Sequence, residues 1–142
     1  MKVTIITVTL NSAKFLEDCI QSVIKQDYKD IEHLVIDGGS TDGTLAIIEK
    51  YTGHIARWVS EKDKGMYDAV NKGMRMSGGD IIGTLNSDDV LASPDVISTI
   101  VAGFKQQPVN AVYGDLVYVD PLNTEKVIRV WKGLPYKRSR FR

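Results

Sequence analysis

Apolar residues follow two alternating rhythms along this chain, short unbroken runs and helical stripes, and that alternation predicts a layered α/β domain. Residues 3–10 are rich in β-branched side chains and read as a buried first strand. Asn11 and Ser12 are suited to cap a helix. Phe15, Leu16, Cys19, Ile20, Val23 and Ile24 then recur on one helical face, which ends near Gln26 or Asp27. Residues 33–36 give a second short strand, and a helix begins with Leu45, Ile47 and Ile48 and runs to Tyr51. A third strand is expected over 57–60. Met66, Ala69, Val70, Gly73 and Met74 then keep a helical period within 66–76. Residues 80–85 form the next strand. Pro94, behind Ser93, sits at a favoured first helical position and opens a helix to Lys105. Residues 111–119 read as a fifth strand, with 125–131 as its hairpin partner.

Strands alternating with helices imply a mostly parallel sheet flanked by helices on both faces. Right-handed crossovers place every strand's carboxyl end on one edge, where open α/β sheets bind ligands. Four segments collect there: Thr9-Leu10-Asn11, the turn from Asp37 onward, residues 61–64, and Asn86-Ser87-Asp88-Asp89. One domain over 1–120 is expected, with a hairpin and basic tail over 121–142.

Composition narrows the partners. Eighteen basic residues balance eighteen acidic ones, which removes the electrostatic case for nucleic acid. The balance is uneven at one end, where Lys132, Lys137, Arg138, Arg140 and Arg142 meet no acid. Such a run suits anionic lipid or phosphate, or a solvated terminus. Cys19 is the only cysteine, so no intramolecular disulfide forms, and its place on a helical stripe marks it as a small core residue. The first ten residues make a poor signal peptide, and no run approaches the length of a membrane span. The expected setting is cytoplasmic, with peripheral contact at the inner face of a membrane as an option. His33 and His54 read as ordinary strand-edge or loop residues.

The chemistry lies in the turns. Asp88 and Asp89 are adjacent carboxylates directly after an apolar strand, and they repel unless a cation or proton sits between them. A hard divalent cation, Mg²⁺ or Mn²⁺, holding a diphosphate would relieve that repulsion. A solvated turn is the plain alternative. The turn Asp37-Gly38-Gly39-Ser40-Thr41-Asp42-Gly43-Thr44 is glycine-rich and follows a strand, yet has neither the dinucleotide G-x-G-x-x-G spacing nor a P-loop lysine. Asp37, at the strand tip, is placed to accept from a base N–H or to cap, and Asp42 is placed to cap the next helix. Lys64 precedes the glycine that opens a helix, where an anion is favoured. Asp68, one turn on, either orients Lys64 or complements the positive helix end.

Taken in order, these pieces resemble family 2 glycosyltransferases. They are Thr7-Val8-Thr9-Leu10-Asn11; Ile20-Gln21-Ser22-Val23 with Gln26 and Tyr28; Val35-Ile36-Asp37-Gly38-Gly39-Ser40-Thr41-Asp42-Gly43-Thr44; Asp63-Lys64-Gly65-Met66-Tyr67-Asp68-Ala69-Val70-Asn71-Lys72-Gly73; Gly79-Asp80-Ile81-Ile82; Leu85-Asn86-Ser87-Asp88-Asp89; and Tyr113-Gly114-Asp115. The similarity covers residues 3–115 and is nearest to the bacterial branch that builds surface polysaccharides. It implies a GT-A fold and a nucleotide-diphosphate sugar donor, with UDP favoured. The acceptor it implies is a glycan or lipid-linked hydroxyl, and the transfer is inverting. It places Thr9 and Asn11 near the nucleotide, Asp37 on the base, and Lys64 near the phosphates. It makes Asp89 the foremost metal ligand, with Asp88 on the ribose or as a second metal contact. Asn86 stands where the pattern has its first carboxylate. Asp115 is the one matched late acid, a candidate base that the resemblance does not assign. Family members generally continue into an acceptor half, so the chain reads as the donor-binding part of such an enzyme. The rival reading is a nucleotide-sugar-binding module without catalysis, and a homo-oligomer is compatible with either.

Overall fold

The computed structural model describes residues 1–121 and 123–133. The elements run β1 (Val3–Thr9), α1 (Leu16–Ile24), β2 (Ile31–Asp37), α2 (Thr44–Lys50), β3 (Arg57–Ser60), α3 (Met66–Met76), β4 (Ile81–Thr84), α4 (Val96–Gln106), β5 (Leu116–Asp120) and β6 (Asn123–Trp131). They divide into two compact units, Met1–Val101 and Ala102–Arg142.

The first unit holds a four-stranded sheet in the order β3-β2-β1-β4 with every pairing parallel. From β1 the chain steps outward through β2 to β3 and then crosses to β4 on the other side of β1. The strand order therefore reverses at β1, and the crevice outside the carboxyl ends at such a reversal is where open α/β sheets take ligands.

Each face of the sheet is buried by its own helices. On one face Leu16 and Ile20 of α1, Ile48 of α2, Ile55 and Val35 of β2 form a buried cluster, with Trp58 and Tyr51 packed against it. On the other, Ile6, Leu34 and Ile36 pack with Ala69 of α3. Continuous apolar β2, buried from His33 to Asp37, is what a strand covered on both sides requires. Gly73 lets α3 approach closely, because a Cβ there would stand 2.5 Å from Ile6 Cγ2.

At the amino edge of the sheet, buried Glu32 gathers Lys2 Nζ at 2.9 Å, the Thr4 hydroxyl at 2.7 Å, the Gly78 N–H at 2.7 Å and Arg57 at 3.4 Å. Burial opposes its ionisation, but the bonds from Gly78, Lys2 and Thr4 outweigh that and hold the carboxyl down at about 2.

Two expected helix starts differ. Asn11 and Ser12 precede a turn, and α1 begins only at Leu16 with no side-chain cap. α4 begins at Val96, not at Pro94, and the Ile97 N–H is met by Gln26 Oε1 at 3.0 Å. Gln26 also donates to Ser93 O at 2.8 Å, so the end of α1 fixes the start of α4.

In the second unit β5 and β6 pair antiparallel as a sheet of their own. The expected fifth strand is thus shorter than 111–119, starting at Leu116, and it does not extend the parallel sheet. The basic residues Lys137, Arg138, Arg140 and Arg142 lie outside the described residues. No described helix is long and apolar enough to cross a membrane.

Candidate functional site

The carboxyl tips of β1 and β2 are laced together by the residues that follow them. Thr9 and Asp37 are register partners, and the Gly38 N–H donates to Thr9 O at 2.9 Å. Asn11 adopts φ +49°, a left-handed conformation Asn tolerates, which turns its backbone toward the second loop. Its N–H donates to Ser40 Oγ at 2.7 Å, and its Oδ1 accepts from the Thr41 N–H at 2.9 Å. One step on, the Ser12 N–H donates to Thr44 Oγ1 at 2.8 Å. Asp42 accepts from the Ala13 N–H at 3.1 Å and the Thr44 N–H at 2.9 Å. Asp42 thus accepts from the first N–H of α2 and ties it to the β1 loop, whereas the cap position itself is Gly43, with no side-chain cap bond.

Asp37 lies at the centre of this lacing and is wholly buried. Its Oδ2 accepts from the Gly39 N–H at 3.1 Å, the Ser40 N–H at 2.9 Å and Ser60 Oγ at 2.6 Å, and its Oδ1 accepts from Ser40 Oγ. Burial opposes ionisation here, but the donors from Ser40, Ser60 and Gly39 win and hold the carboxyl below the usual Asp range. The carboxylate therefore builds the turn. Among the described residues Oδ1 accepts from Ser40 Oγ alone.

The third tip joins the same edge. The Glu61 N–H donates to Asp37 O at 3.0 Å. Gly38 lies so close to Asp63 that a Cβ would sit 2.8 Å from Oδ2. Asp63 Oδ1 accepts from the Gly65 N–H at 2.8 Å, and Gly65, at φ +110°, turns the chain into α3. Asp68 accepts from the Lys64 N–H at 3.1 Å, reaching back from the first turn of α3 to the backbone. The Lys64 side chain is exposed.

Beyond β4, residues 86–89 form a turn in which Asp88 and Asp89 are both exposed. The Asp89 N–H donates to Asn86 O at 3.0 Å, and Asn86 Nδ2 donates to Asp89 Oδ2 at 3.1 Å. Two tethers fix this turn to the β1–α1 segment: Ser87 Oγ donates to Ser12 Oγ at 2.9 Å, and Cys19 Sγ donates to Asn86 O at 3.4 Å. Burial pushes the Cys19 thiol up to about 12, and the charges of Asp89 and Asp88 add to that rise. Among the described residues no three His, Cys, Asp or Glu side chains come together as a metal-binding group. Two exposed carboxylates and the Asn86 amide are nonetheless hard oxygen donors, and a Mg²⁺- or Mn²⁺-type ion takes the rest of its shell from substrate phosphate and water. The residues present fit such an ion.

Thr9, Asn11, Asp37, Lys64, Asp68, Asp88 and Asp89 thus all stand on the carboxyl edge of one unit. Asp115 belongs to the second unit, where its Oδ1 accepts from the Gly133 N–H at 2.7 Å. Ser60 and Ser87 were not singled out as site residues by the sequence, and Ser12 was read there only as a helix cap; Ser87 carried a signal, its place inside the Asn86-Ser87-Asp88-Asp89 motif. Thr9 Oγ1 is buried without a hydrogen-bond partner among the described residues.

The fold is GT-A, shared with solved glycosyltransferases. The structure of residues 1–349 of Staphylococcus aureus TarS with UDP-GlcNAc superposes with a TM-score of 0.68 at 27% identity, covering 75% of this chain and 32% of that one. A Pyrobaculum calidifontis mannosyltransferase solved with GDP-Man and Mn²⁺ shares the fold at 24% identity and a TM-score of 0.68, over 87% of this chain and 37% of its own. The glycosyl transferase family 2 profile matches residues 4–142, and the chain belongs to that family. An uncharacterized glycosyltransferase of Mycobacterium tuberculosis is 38% identical over 151 residues, which is 98% of this chain and 58% of the relative. A PGL/p-HBAD biosynthesis glycosyltransferase of Mycobacterium bovis is 34% identical over 80% of this chain and 46% of its own length. The chain thus spans roughly half the length of these relatives.

Proposed function

We propose that this chain is the donor-binding part of a glycosyltransferase that moves a sugar, with inversion, from a nucleotide diphosphate to an acceptor hydroxyl. The acceptor is a growing glycan or a lipid-linked sugar in bacterial polysaccharide or lipopolysaccharide synthesis. The observation that carries the proposal is the exposed Asp88–Asp89 pair, tied by Ser87 and Cys19 to the same β1 segment that is laced to the Asp37 turn. Nucleotide and diphosphate are then bound on one rigid edge. UDP is the favoured nucleotide, in keeping with the UDP-GlcNAc that TarS holds.

In this scheme the β1 and β2 tips bind the nucleoside. Asp37 offers an Oδ1 lone pair to a base N–H, and Thr9 and Asn11 stand on the same sheet edge. Lys64, exposed just before α3, meets the diphosphate near the positive start of that helix. Asp89, oriented by Asn86, holds the divalent ion, and Asp88 takes the ribose or a second place on the ion. When bound, that ion neutralises the charge that grows on the departing diphosphate. The acceptor oxygen attacks the anomeric carbon from the face opposite the leaving group, and its proton passes to a base. That base is unassigned, with Asp115 as a candidate only.

Calorimetry of this chain with a panel of nucleotide sugars, each with and without Mn²⁺, tests the proposal. Micromolar binding of one donor that requires Mn²⁺ is expected. Absence of Mn²⁺-dependent binding across UDP, GDP, dTDP and CDP sugars would overturn it.

A further inference from the structure

Beneath the Asp88–Asp89 turn a line of buried polar groups crosses the sheet's α1 face. His33 of β2 places Nε2 3.0 Å from Thr7 Oγ1 of β1, Thr7 Oγ1 lies 3.8 Å from Cys19 Sγ of α1, and Cys19 Sγ lies 3.4 Å from Asn86 O. All three side chains are buried. Polar groups in such a position cost stability unless bonded, so the line is a built feature rather than leftover polarity.

Its direction follows from its last member. A carbonyl only accepts, so Cys19 gives its one proton to Asn86 O. The Cys19 sulfur can then only accept, so Thr7 gives its hydroxyl proton to the sulfur. Thr7 in turn accepts, which requires the N–H of His33 at Nε2. Nδ1 is then a bare lone pair, consistent with its having no partner among the described residues. Every proton in the line points toward the Asp88–Asp89 turn, and donors aligned this way strengthen one another. At the far end Asn86 O also receives the Asp89 N–H at 3.0 Å, so both of its lone pairs are used. The carbonyl that closes the turn is therefore pinned from below.

We propose that Thr7 and Cys19 are positioning residues for the metal-binding turn: the line from His33 to Asn86 O fixes that turn in the conformation that presents Asp89. The role rests on the donor-site assignment above for its meaning in binding, but the pinning itself is a property of the free chain. Cys19 is accordingly more than a core filler, since alanine would fill the core and lose the donor.

The test uses the whole chain without metal. Backbone amide exchange of Asp89 is followed by NMR in wild type, Cys19→Ala, Cys19→Ser and Thr7→Val, with the Ser40 amide as an internal reference. Cys19→Ala should speed Asp89 exchange about threefold, the scale of one weak hydrogen bond, and leave Ser40 unchanged. Cys19→Ser, which restores a donor, should recover most of the protection. Because Cys19 is the sole cysteine, its S–H stretching band is unambiguous in Raman spectra. The band should lie at the lower frequency of a donating thiol and move toward the free-thiol position in Thr7→Val. A second arm measures UDP with Mn²⁺: affinity should fall about threefold in Cys19→Ala and return in Cys19→Ser, while metal-free UDP binding holds. Unchanged Asp89 exchange in a folded Cys19→Ala, or a free-thiol band in wild type, overturns the pinning, and the band decides alone if Cys19→Ala does not fold. Failure of wild type to bind UDP with Mn²⁺ would instead sink the donor-site assignment, leaving the exchange result to judge the pinning.

Discussion

Asn86 and Asp89 hold each other twice, backbone to backbone at 3.0 Å and side chain to side chain at 3.1 Å. Asn86 stands where the family pattern has its first carboxylate, and here it supplies an amide donor to the last one. The exchange lowers the negative charge of the turn and orients the Asp89 carboxylate. Asp88, between them, has no such guide among the described residues.

That asymmetry predicts unequal mutants. Asp89→Ala should weaken Mn²⁺-dependent nucleotide binding by about 10- to 100-fold, the scale of one charged contact, and Asp88→Ala by clearly less. Melting temperatures of both should stay near wild type, since both side chains are exposed. Calorimetry in Mn²⁺ checks this, and equal binding by Asp89→Ala and wild type would remove Asp89 from the metal site.

Asp37 should matter to stability as well as to ligand. Asp37→Ala leaves the Gly39 and Ser40 N–H groups and the Ser60 hydroxyl without their buried acceptor. A loss of about 2–4 kcal/mol in denaturant unfolding is expected. Nucleotide affinity should fall with it. If stability drops while affinity of the folded fraction stays within twofold, Asp37 builds the turn and does not touch the base.

The contact of Gly73 with Ile6 predicts an overpacked mutant. Gly73→Ala should destabilise by about 1–3 kcal/mol, because the new methyl meets the β1 side chain that α3 packs against. Ile6→Val in the same chain should recover part of that, and a double-mutant cycle measures the coupling. Additive losses would mean that α3 shifts as a body instead.

Two groups make stability fall with acid in successive windows that overlap between about 4 and 4.5. Burial alone pushes His33 down to about 4 from an ordinary 6.5, so between those values the unfolded chain binds more protons and stability drops as pH falls. Glu32, held at about 2 against an ordinary 4.5, contributes stability that is complete above 4.5 and is lost as pH falls toward 2. His33→Gln should flatten the upper window and Glu32→Gln the lower, each read from urea midpoints against pH. A slope above pH 4.5 that His33→Gln leaves intact would assign it elsewhere.

The alternation of β-branched runs with helical stripes, read along the sequence, determines the order and kind of the elements. β1, β2, β3, α1, α2 and α3 lie within a few residues of their expected places because each buries a face its own periodicity defines. The same periodicity places Thr9, Asp37 and Asp88–Asp89 after strands, and parallel pairing then obliges them to share an edge. What pattern could not reach are bonds between residues far apart in sequence. Gln26 meets the first turn of α4, Asn11 ties the Asp37 turn instead of capping α1, and among the described residues β5 pairs with β6 alone. Cys19 fits a core position by every local rule, yet its thiol acts on the carbonyl of Asn86, 67 residues away. Periodicity records which face of an element is buried, whereas a hydrogen bond depends on which two atoms the packed elements bring within reach. Only the tertiary structure decides that.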